Sequence, residues 1–290
     1  MREALSPPTV AEALREAAAT LAGVSDTARL DAEVLMAHAL GVGRSDLLLR
    51  HMRDPAPPAF APLAARRMAH EPVAYITGHQ EFYGRDFRVT HDVLIPRGDS
   101  ETLVNAALEA APAPHRVLDC GTGSGALLLS VLAEREGAEG IGIDRSPAAL
   151  AVAADNARHL GLDGRAQMLL RDWDRPGWRE GLGRFDLILA NPPYVEDAAP
   201  LDRSVRDYEP AGALFAGPEG LDAYRVLIAH LPVLLTPDGV AVVEIGAGQA
   251  DAVAGIAAGA GLTSVLYRDL GARPRALSLR FGVGKAVLAS

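Results

Sequence analysis

The sequence predicts a chain of two parts, a small helical domain followed by an α/β domain on a mostly parallel sheet with one antiparallel strand. Three observations predict it. Residues 9–70 carry helical periodicity and no strand alternation. From residue 100, short apolar runs alternate with helical stretches, the pattern of a parallel sheet covered on both faces. The last two apolar runs have no helix between them, so they pair as a hairpin and reverse one strand. The expected division is 1–75 helical, 76–97 a hairpin connection and 98–290 the α/β domain.

Thr9-Val-Ala-Glu12 is a capping box, with a hydroxyl at the N-cap and a carboxylate three residues on. An alanine-rich helix follows to about Leu21. A second places Leu30, Val34, Leu35 and Ala39 on one stripe and stops at Gly41. Ser45–Met52 and Pro58–His70 supply two more, separated by the Asp54–Pro58 breaker. The Arg66-Arg67 pair reads as a solvated helix face. Gln80–Gly84 and Arg85–Val89 form a β-hairpin within a connection spanning about 72–96. Ser100–Ala111 is a helix with Leu103, Val104, Ala107 and Leu108 on one face. Strands are expected at 116–119, 140–144, 166–170, 185–190, 239–245, 264–267 and 276–281. Helices at 124–135, 147–160, 220–235 and 248–260 lie between them. Cys120 and Trp178 read as packed residues.

The composition sets limits. Apolar residues are 49% and charged residues 22% of the 290, so a sizeable core needs no staple. A single cysteine excludes an intrachain disulfide framework and cysteine-rich zinc sites. The eight histidines include no i, i+4 pair, so no metal site is expected. There is no apolar run long enough to cross a bilayer and no signal peptide is read at the N-terminus. A net charge of −9 argues against affinity built on neutralising phosphates. The expectation is a cytoplasmic monomer with no membrane and no direct nucleic-acid partner.

Val117–Gly125 stands at the first strand–helix turn of the alternating domain. Gly121, Gly123 and Gly125 let backbone pass close to a ligand, and a helix starting near Ser124 would present free N–H groups. Alone, Gly-x-Gly-x-Gly fits any tight α/β turn. Asp119 ends the strand before the loop, where a pyrophosphate would meet a carboxylate. Asp144 ends the next strand and can accept both hydroxyls of a ribose diol. Asp172 and Trp173 after the third strand offer a carboxylate for an adenine amino group and an indole for its face. An acidic lining with no basic residue in the loop suits a cationic, phosphate-free nucleoside, which is S-adenosyl-L-methionine. Asp119, Gly121, Thr122, Gly123, Ser124, Gly125, Asp144, Asp172, Trp173 and Asn191 are the expected cofactor-binding residues.

Asn191-Pro-Pro-Tyr194 directly follows the strand 185–190, so it faces the same cleft as the glycine loop. An amide or aromatic amino nitrogen is a poor nucleophile because its lone pair is delocalised. A site that methylates it must aim that lone pair. The Asn191 side-chain oxygen and the Pro192 carbonyl can accept the two N–H bonds of a planar NH₂, prolines pre-aim the carbonyl, and Tyr194 can stack on the flat group. No general base is obligatory. Asn191, Pro192 and Tyr194 are the expected catalytic residues, and Pro193 joins them in holding substrate.

These residues resemble the release-factor glutamine methyltransferase family, protein-(glutamine-N5) methyltransferases that modify the Gly-Gly-Gln loop of peptide chain release factors. The resemblance runs through Tyr75–Gly84, Leu94-Ile-Pro-Arg97, Leu118–Gly125, Asp172-Trp173, Asn191–Tyr194, Tyr208-Glu-Pro210, Gly220–Arg225 and Glu244-Ile-Gly246. It implies a seven-stranded, Rossmann-like methyltransferase domain, a helical domain that helps grip the release factor, and the roles given above for Asp144, Trp173 and Asn191. One departure is Pro96-Arg-Gly-Asp-Ser-Glu101, where the family has proline at the position of Gly98; glycine lacks the fixed φ, so this loop is expected to be looser. Three alternatives stand beside the resemblance: the same chemistry on a ribosomal protein glutamine, on a nucleic-acid amino group such as adenine N6, or a non-catalytic adenosylmethionine-binding protein.

Overall fold

Thr9 opens the first helix, Val10–Leu21, as a capping box requires: its hydroxyl accepts from the Glu12 N–H at 3.3 Å, and Glu12 Oε2 accepts from the Thr9 N–H at 2.8 Å. The structure, a computed structural model, describes residues 7–282. The second helix, Ala28–Leu40, ends on Gly41 at φ 68°. Its buried face differs from the predicted stripe. Ala32, Leu35 and Met36 are fully buried, whereas Leu30 is 43% exposed. The helix turns this way because Asp31 and Glu33 can be buried once paired. Asp31 accepts from Ser25, Thr27 and Arg67, and Glu33 accepts from Arg29 and Arg44. Arg67 is therefore not on a solvated face; its side chain is 11% exposed and sits 2.7 Å from Asp31.

The stretch predicted over 45–52 is one α-turn, Arg44–Asp46, running into a π-turn, Leu47–His51. Phe60–Met68 follows. Val73–Thr77, expected as connection, is a short helix that buries Ala74, Tyr75 and Ile76 and stops on Gly78 at φ 79°. These helices share a core of Val10, Leu14, Leu35, Met36, Leu47 and Phe60. This unit runs to His79 and takes in Leu201–Tyr208, which carries the short helix Arg203–Arg206. That return segment was not foreseen; only tertiary packing assigns it. The Tyr208 hydroxyl donates to the Ala69 carbonyl at 2.7 Å.

The second unit comprises Gln80–Pro200 and the chain from Glu209. Strands β1 (His79–Phe82) and β2 (Arg85–Arg88) form the predicted hairpin. Tyr83 at φ 51° and Gly84 at φ 70° give the primed turn that two-residue hairpins favour. Phe82 and Phe87 stack edge to face at 6.2 Å and are buried with Leu103 and Val104. The hairpin is thus part of the α/β core.

Seven strands build the sheet: β3 (Arg116–Cys120), β4 (Glu139–Asp144), β5 (Ala166–Leu170), β6 (Phe185–Ala190), β7 (Leu235–Glu244), β8 (Leu262–Arg268) and β9 (Pro274–Phe281). Their order is β5-β4-β3-β6-β7-β9-β8, and β9 alone runs against the others. Val117, Leu187 and Val242 face one side, under helices Glu101–Ala110, Ala126–Glu134 and Pro147–His159. Leu118, Ile188 and Val243 face the other, under Asp222–Leu234 and Ala250–Gly259. Cys120 and Trp178 are buried in this second layer, Trp178 edge-on to His230. Burial on both faces explains why these strands read as continuous apolar runs. Among the described residues no helix is long and apolar enough to cross a membrane.

Candidate active site

The chain steps from β3 to β4 and β5 on one side, then returns to place β6 on the other side of β3. Such a reversal opens a crevice beyond the carboxyl ends of the strands. The register lines those ends up. Cys120 lies between Ile143 and Ala190, and Asp144 faces Leu170. Asp172, Asp144, Gly121 and Asn191 therefore leave neighbouring strands side by side. A cleft of about 430 Å³ opens there, and Gly121–Ser124, Asp144, Asp172, Trp173, Asn191 and Pro193 all stand on its wall.

The glycine loop needs its glycines. Gly121, Gly123 and Gly125 have φ of 75°, 53° and 82°. A Cβ on Gly121 would press on the Trp173 indole at 3.1 Å, so that ring lies against the loop. The helix begins at Ala126, two residues later than expected, and the loop does not offer a row of free N–H groups. Gly121 and Thr122 N–H both donate to the Ile143 carbonyl at 2.9 Å, and Gly125 N–H donates to the Thr122 carbonyl at 2.7 Å. The Gly123 N–H goes to Asp144 Oδ2 at 3.0 Å. An anion would find these donors already taken.

Asp144 accepts from two backbone groups, Gly123 and, at 2.9 Å on Oδ1, Ser146. Each carboxylate oxygen keeps acceptor capacity toward the cleft. Asp172 is held by the Asp174 N–H at 3.1 Å. Asp119 is fully buried behind the loop, off the wall, where the Thr122 hydroxyl donates to it at 2.7 Å. Burial, opposed by Thr122 and reinforced by Asp144, pushes its carboxyl up to about 7.

Asn191 is half-buried, and among the described residues its side chain makes no hydrogen bond. Pro192 is buried and Tyr194 half-buried; neither stands on the wall, nor does Gly125. The Tyr194 hydroxyl instead reaches Glu244 Oε1 at 3.4 Å, and burial together with Glu244 pushes the phenol up to about 12. Glu244, itself buried, is raised to about 7.

Several wall residues had no assigned role in the sequence reading: Phe82, Asp92, Leu94–Arg97, Pro210 and Gly212. The 94–97 and 208–210 segments carried the signal that could have found them. Their link is Glu209, buried, which accepts from Arg97 and from the Ile95 N–H at 3.3 Å. The Gly98 segment, expected as a looser loop, takes a regular conformation. Gly98–Ser100 is a 3-10 turn, with Asp99 paired to Arg275 at 2.8 Å and Glu101 accepting from the Tyr83 N–H at 2.9 Å.

The donor set fits S-adenosylmethionine and not a phosphate. Of the three arginines lining the cleft, Arg97 is paired to Glu209, while Arg145 and Arg171 each donate to one backbone carbonyl, of Gly212 and of Leu170; none of them belongs to the glycine loop. Among the described residues Asp144 carries no ion pair and keeps acceptor capacity for neutral donors, whereas Asp172 is paired to Arg175 at 3.3 Å and would meet a ligand with its remaining lone pairs.

Fold and cleft define an adenosylmethionine-dependent methyltransferase. A family profile described as a methyltransferase domain matches residues 113–227, and one described as the PrmC N-terminal domain matches 12–78. Among solved structures, the hMettl16 catalytic domain shares the fold at TM-score 0.54 and 14% identity, covering 79% of this chain and 94% of that one. A release factor glutamine methyltransferase of Cereibacter sphaeroides is 46% identical over 279 residues, 93% of this chain and 98% of the relative. One from Rhodospirillum rubrum is 43% identical, over 90% of this chain and 81% of the relative. The chain belongs to the release factor glutamine methyltransferase family. It is a protein-glutamine methyltransferase whose methyl donor is S-adenosyl-L-methionine.

Proposed function

We propose that the protein methylates the side-chain N5 of the glutamine in the Gly-Gly-Gln loop of peptide chain release factors, with Asn191-Pro-Pro-Tyr194 as the element that aims the amide. The observation that carries the reading is the register: β3 and β6 are neighbours, so the unengaged Asn191 side chain and the glycine loop share one cleft.

Bound adenosylmethionine supplies an electrophilic methyl on a sulfonium. Asp144 takes the ribose diol, Asp172 the adenine amino group, and Trp173 packs beside the base. Asp119 orders the glycine loop by accepting from the Thr122 hydroxyl behind it. The Asn191 side-chain oxygen and the Pro192 carbonyl accept the two amide N–H bonds, which turns the nitrogen lone pair toward the methyl group. The backbone around Pro192 and Pro193 is stiff, so the acceptors are set before substrate arrives. Holding two reactants in line is worth roughly 7–11 kcal/mol of barrier, and that is the main catalytic term here. Tyr194 supports the tetrapeptide through Glu244, a different part from the substrate stacking that the sequence suggested. The helical unit grips the release factor. The protein acts as a cytoplasmic monomer and needs no nucleic acid.

The test is methyl transfer from labelled cofactor to a purified release factor, with the modified residue mapped by mass spectrometry. Label on the Gly-Gly-Gln glutamine is expected. Preferential labelling of a ribosomal protein, or of adenine in an oligonucleotide, would redirect the assignment.

A further inference from the structure

Gln249 precedes the helix Ala250–Gly259 and had no role in the sequence reading. Its side-chain amide joins three loops at the carboxyl end of the sheet. Oε1 accepts from the Gly246 N–H at 3.0 Å. Nε2 donates to the Tyr194 carbonyl at 3.1 Å and to the Gly220 carbonyl at 3.2 Å. All the donor and acceptor types of a primary amide are thus spent on backbone, in one orientation. A carboxylate of the same size could serve Gly246 but would face two carbonyls without a proton to give.

The surrounding backbone is shaped to this side chain. A Cβ on Gly220, which sits at φ 66°, would collide with the Tyr194 carbonyl oxygen and lie 2.9 Å from Gln249 Nε2. A Cβ on Gly246 would lie 2.8 Å from Gln249 Oε1. The Gly220 loop therefore approaches the Tyr194 carbonyl, on the last residue of the tetrapeptide, at a distance that only glycine allows, and the Gly246 loop closes on the Gln249 amide itself. Val195, the next residue, donates to the Leu214 carbonyl and accepts from the Ala216 N–H, so the chain just beyond Tyr194 is bonded to the 214–216 segment as well.

We infer that Gln249 is a positioning residue for methyl transfer: by pinning the Tyr194 carbonyl it sets the aim of the Pro192 carbonyl and the Asn191 side chain. It acts through the tetrapeptide and touches no substrate. The inference rests on the reading of Asn191–Tyr194 as the substrate-aiming element.

The experiment uses the full chain with Gln249→Ala and the isosteric Gln249→Glu. Cofactor affinity is measured by calorimetry, and kcat and KM on purified release factor. A misplacement of about 1 Å in a positioned group costs on the order of a hundredfold in rate, so kcat should fall by ~10–100-fold in both variants. Cofactor affinity should stay within about twofold of the parent, since the glycine loop, Asp144, Asp172 and Trp173 lie on other loops and only Asn191 is shared. In Asn191→Ala/Gln249→Ala the combined loss should be well short of the product of the single losses, because the second change acts in part through the first. Should the alanine variant fail to bind cofactor, Gln249→Glu decides. Parental kcat in folded Gln249→Glu overturns the pinning, as does a double variant whose losses multiply. Asn191→Ala at parental turnover overturns the site reading itself; a slow Asn191→Ala beside a fast Gln249→Ala overturns only the pinning.

Discussion

Asp144→Ala removes an acceptor that stands on the cleft wall and is also bonded to the loop backbone. Toward the cleft its proposed part is to take the ribose diol. Toward the protein it holds the Gly123 N–H at 3.0 Å and the Ser146 N–H at 2.9 Å. Hydrogen bonds to a charged group are worth ~1.5–3 kcal/mol each, and ~1.4 kcal/mol is tenfold in affinity. Losing one diol bond alone raises the dissociation constant about tenfold; losing both, at the low end of that range, raises it on the order of a hundredfold. Release of Gly123 from its anchor adds the cost of ordering the loop on binding. Asp144→Asn separates the two roles. It keeps one acceptor oxygen but presents an amide NH₂ to one of the two backbone donors, so its loss should lie between parent and Ala. The assay is isothermal calorimetry with adenosylmethionine, alongside thermal unfolding without ligand to isolate the loop contribution. An Ala variant that is folded and binds within about threefold of the parent would show that Asp144 orders the loop and holds no ribose.

Asn191→Ala should cut turnover by roughly 10²–10³ with cofactor affinity retained, as loss of one preorganised hydrogen bond does elsewhere; single-turnover kinetics within threefold of the parent would make the tetrapeptide a mere turn. Stability should decline as pH rises. Asp119 is lifted from 3.8 to about 7 by burial, so the folded protein keeps a proton that the unfolded chain releases; this contribution is full below about 4 and is lost through about 7. Glu244, lifted by burial from 4.5 to about 7, acts with the same sign. Denaturant unfolding across this window should show a shallower decline for Asp119→Asn, and an unchanged slope would refute the assignment. Phe87→Ala empties a fully buried ring position and should cost ~3–5 kcal/mol, because the hairpin belongs to the α/β core; a loss under ~1 kcal/mol would return it to the status of a linker.

The sequence by itself determined the elements whose cause is local. The Thr9–Glu12 cap, the Gly41 stop, the Tyr83-Gly84 hairpin turn and the seven apolar strands all follow from residue type and spacing. So did the candidate site, because strand–loop–helix order dictates that Gly121, Asp144, Asp172 and Asn191 emerge at one end of a parallel sheet. Tertiary structure decided what depends on a distant partner. Asp31 and Glu33 could turn inward only because Arg67 and Arg44 neutralise them, so the buried face kept Leu35 from the stripe that spacing suggested but shifted to Ala32 and Met36 and left Leu30 exposed. Residues 201–208 joined the first unit across more than a hundred residues of chain, which no local pattern encodes. The glycine loop spends its N–H groups on Ile143, Thr122 and Asp144, and Tyr194 turns its hydroxyl to Glu244. Gln249 was invisible for the same reason. A polar side chain before a helix reads as surface until the fold brings two carbonyls and an N–H to its amide, and hydrogen-bond partners far apart in sequence are set by packing alone.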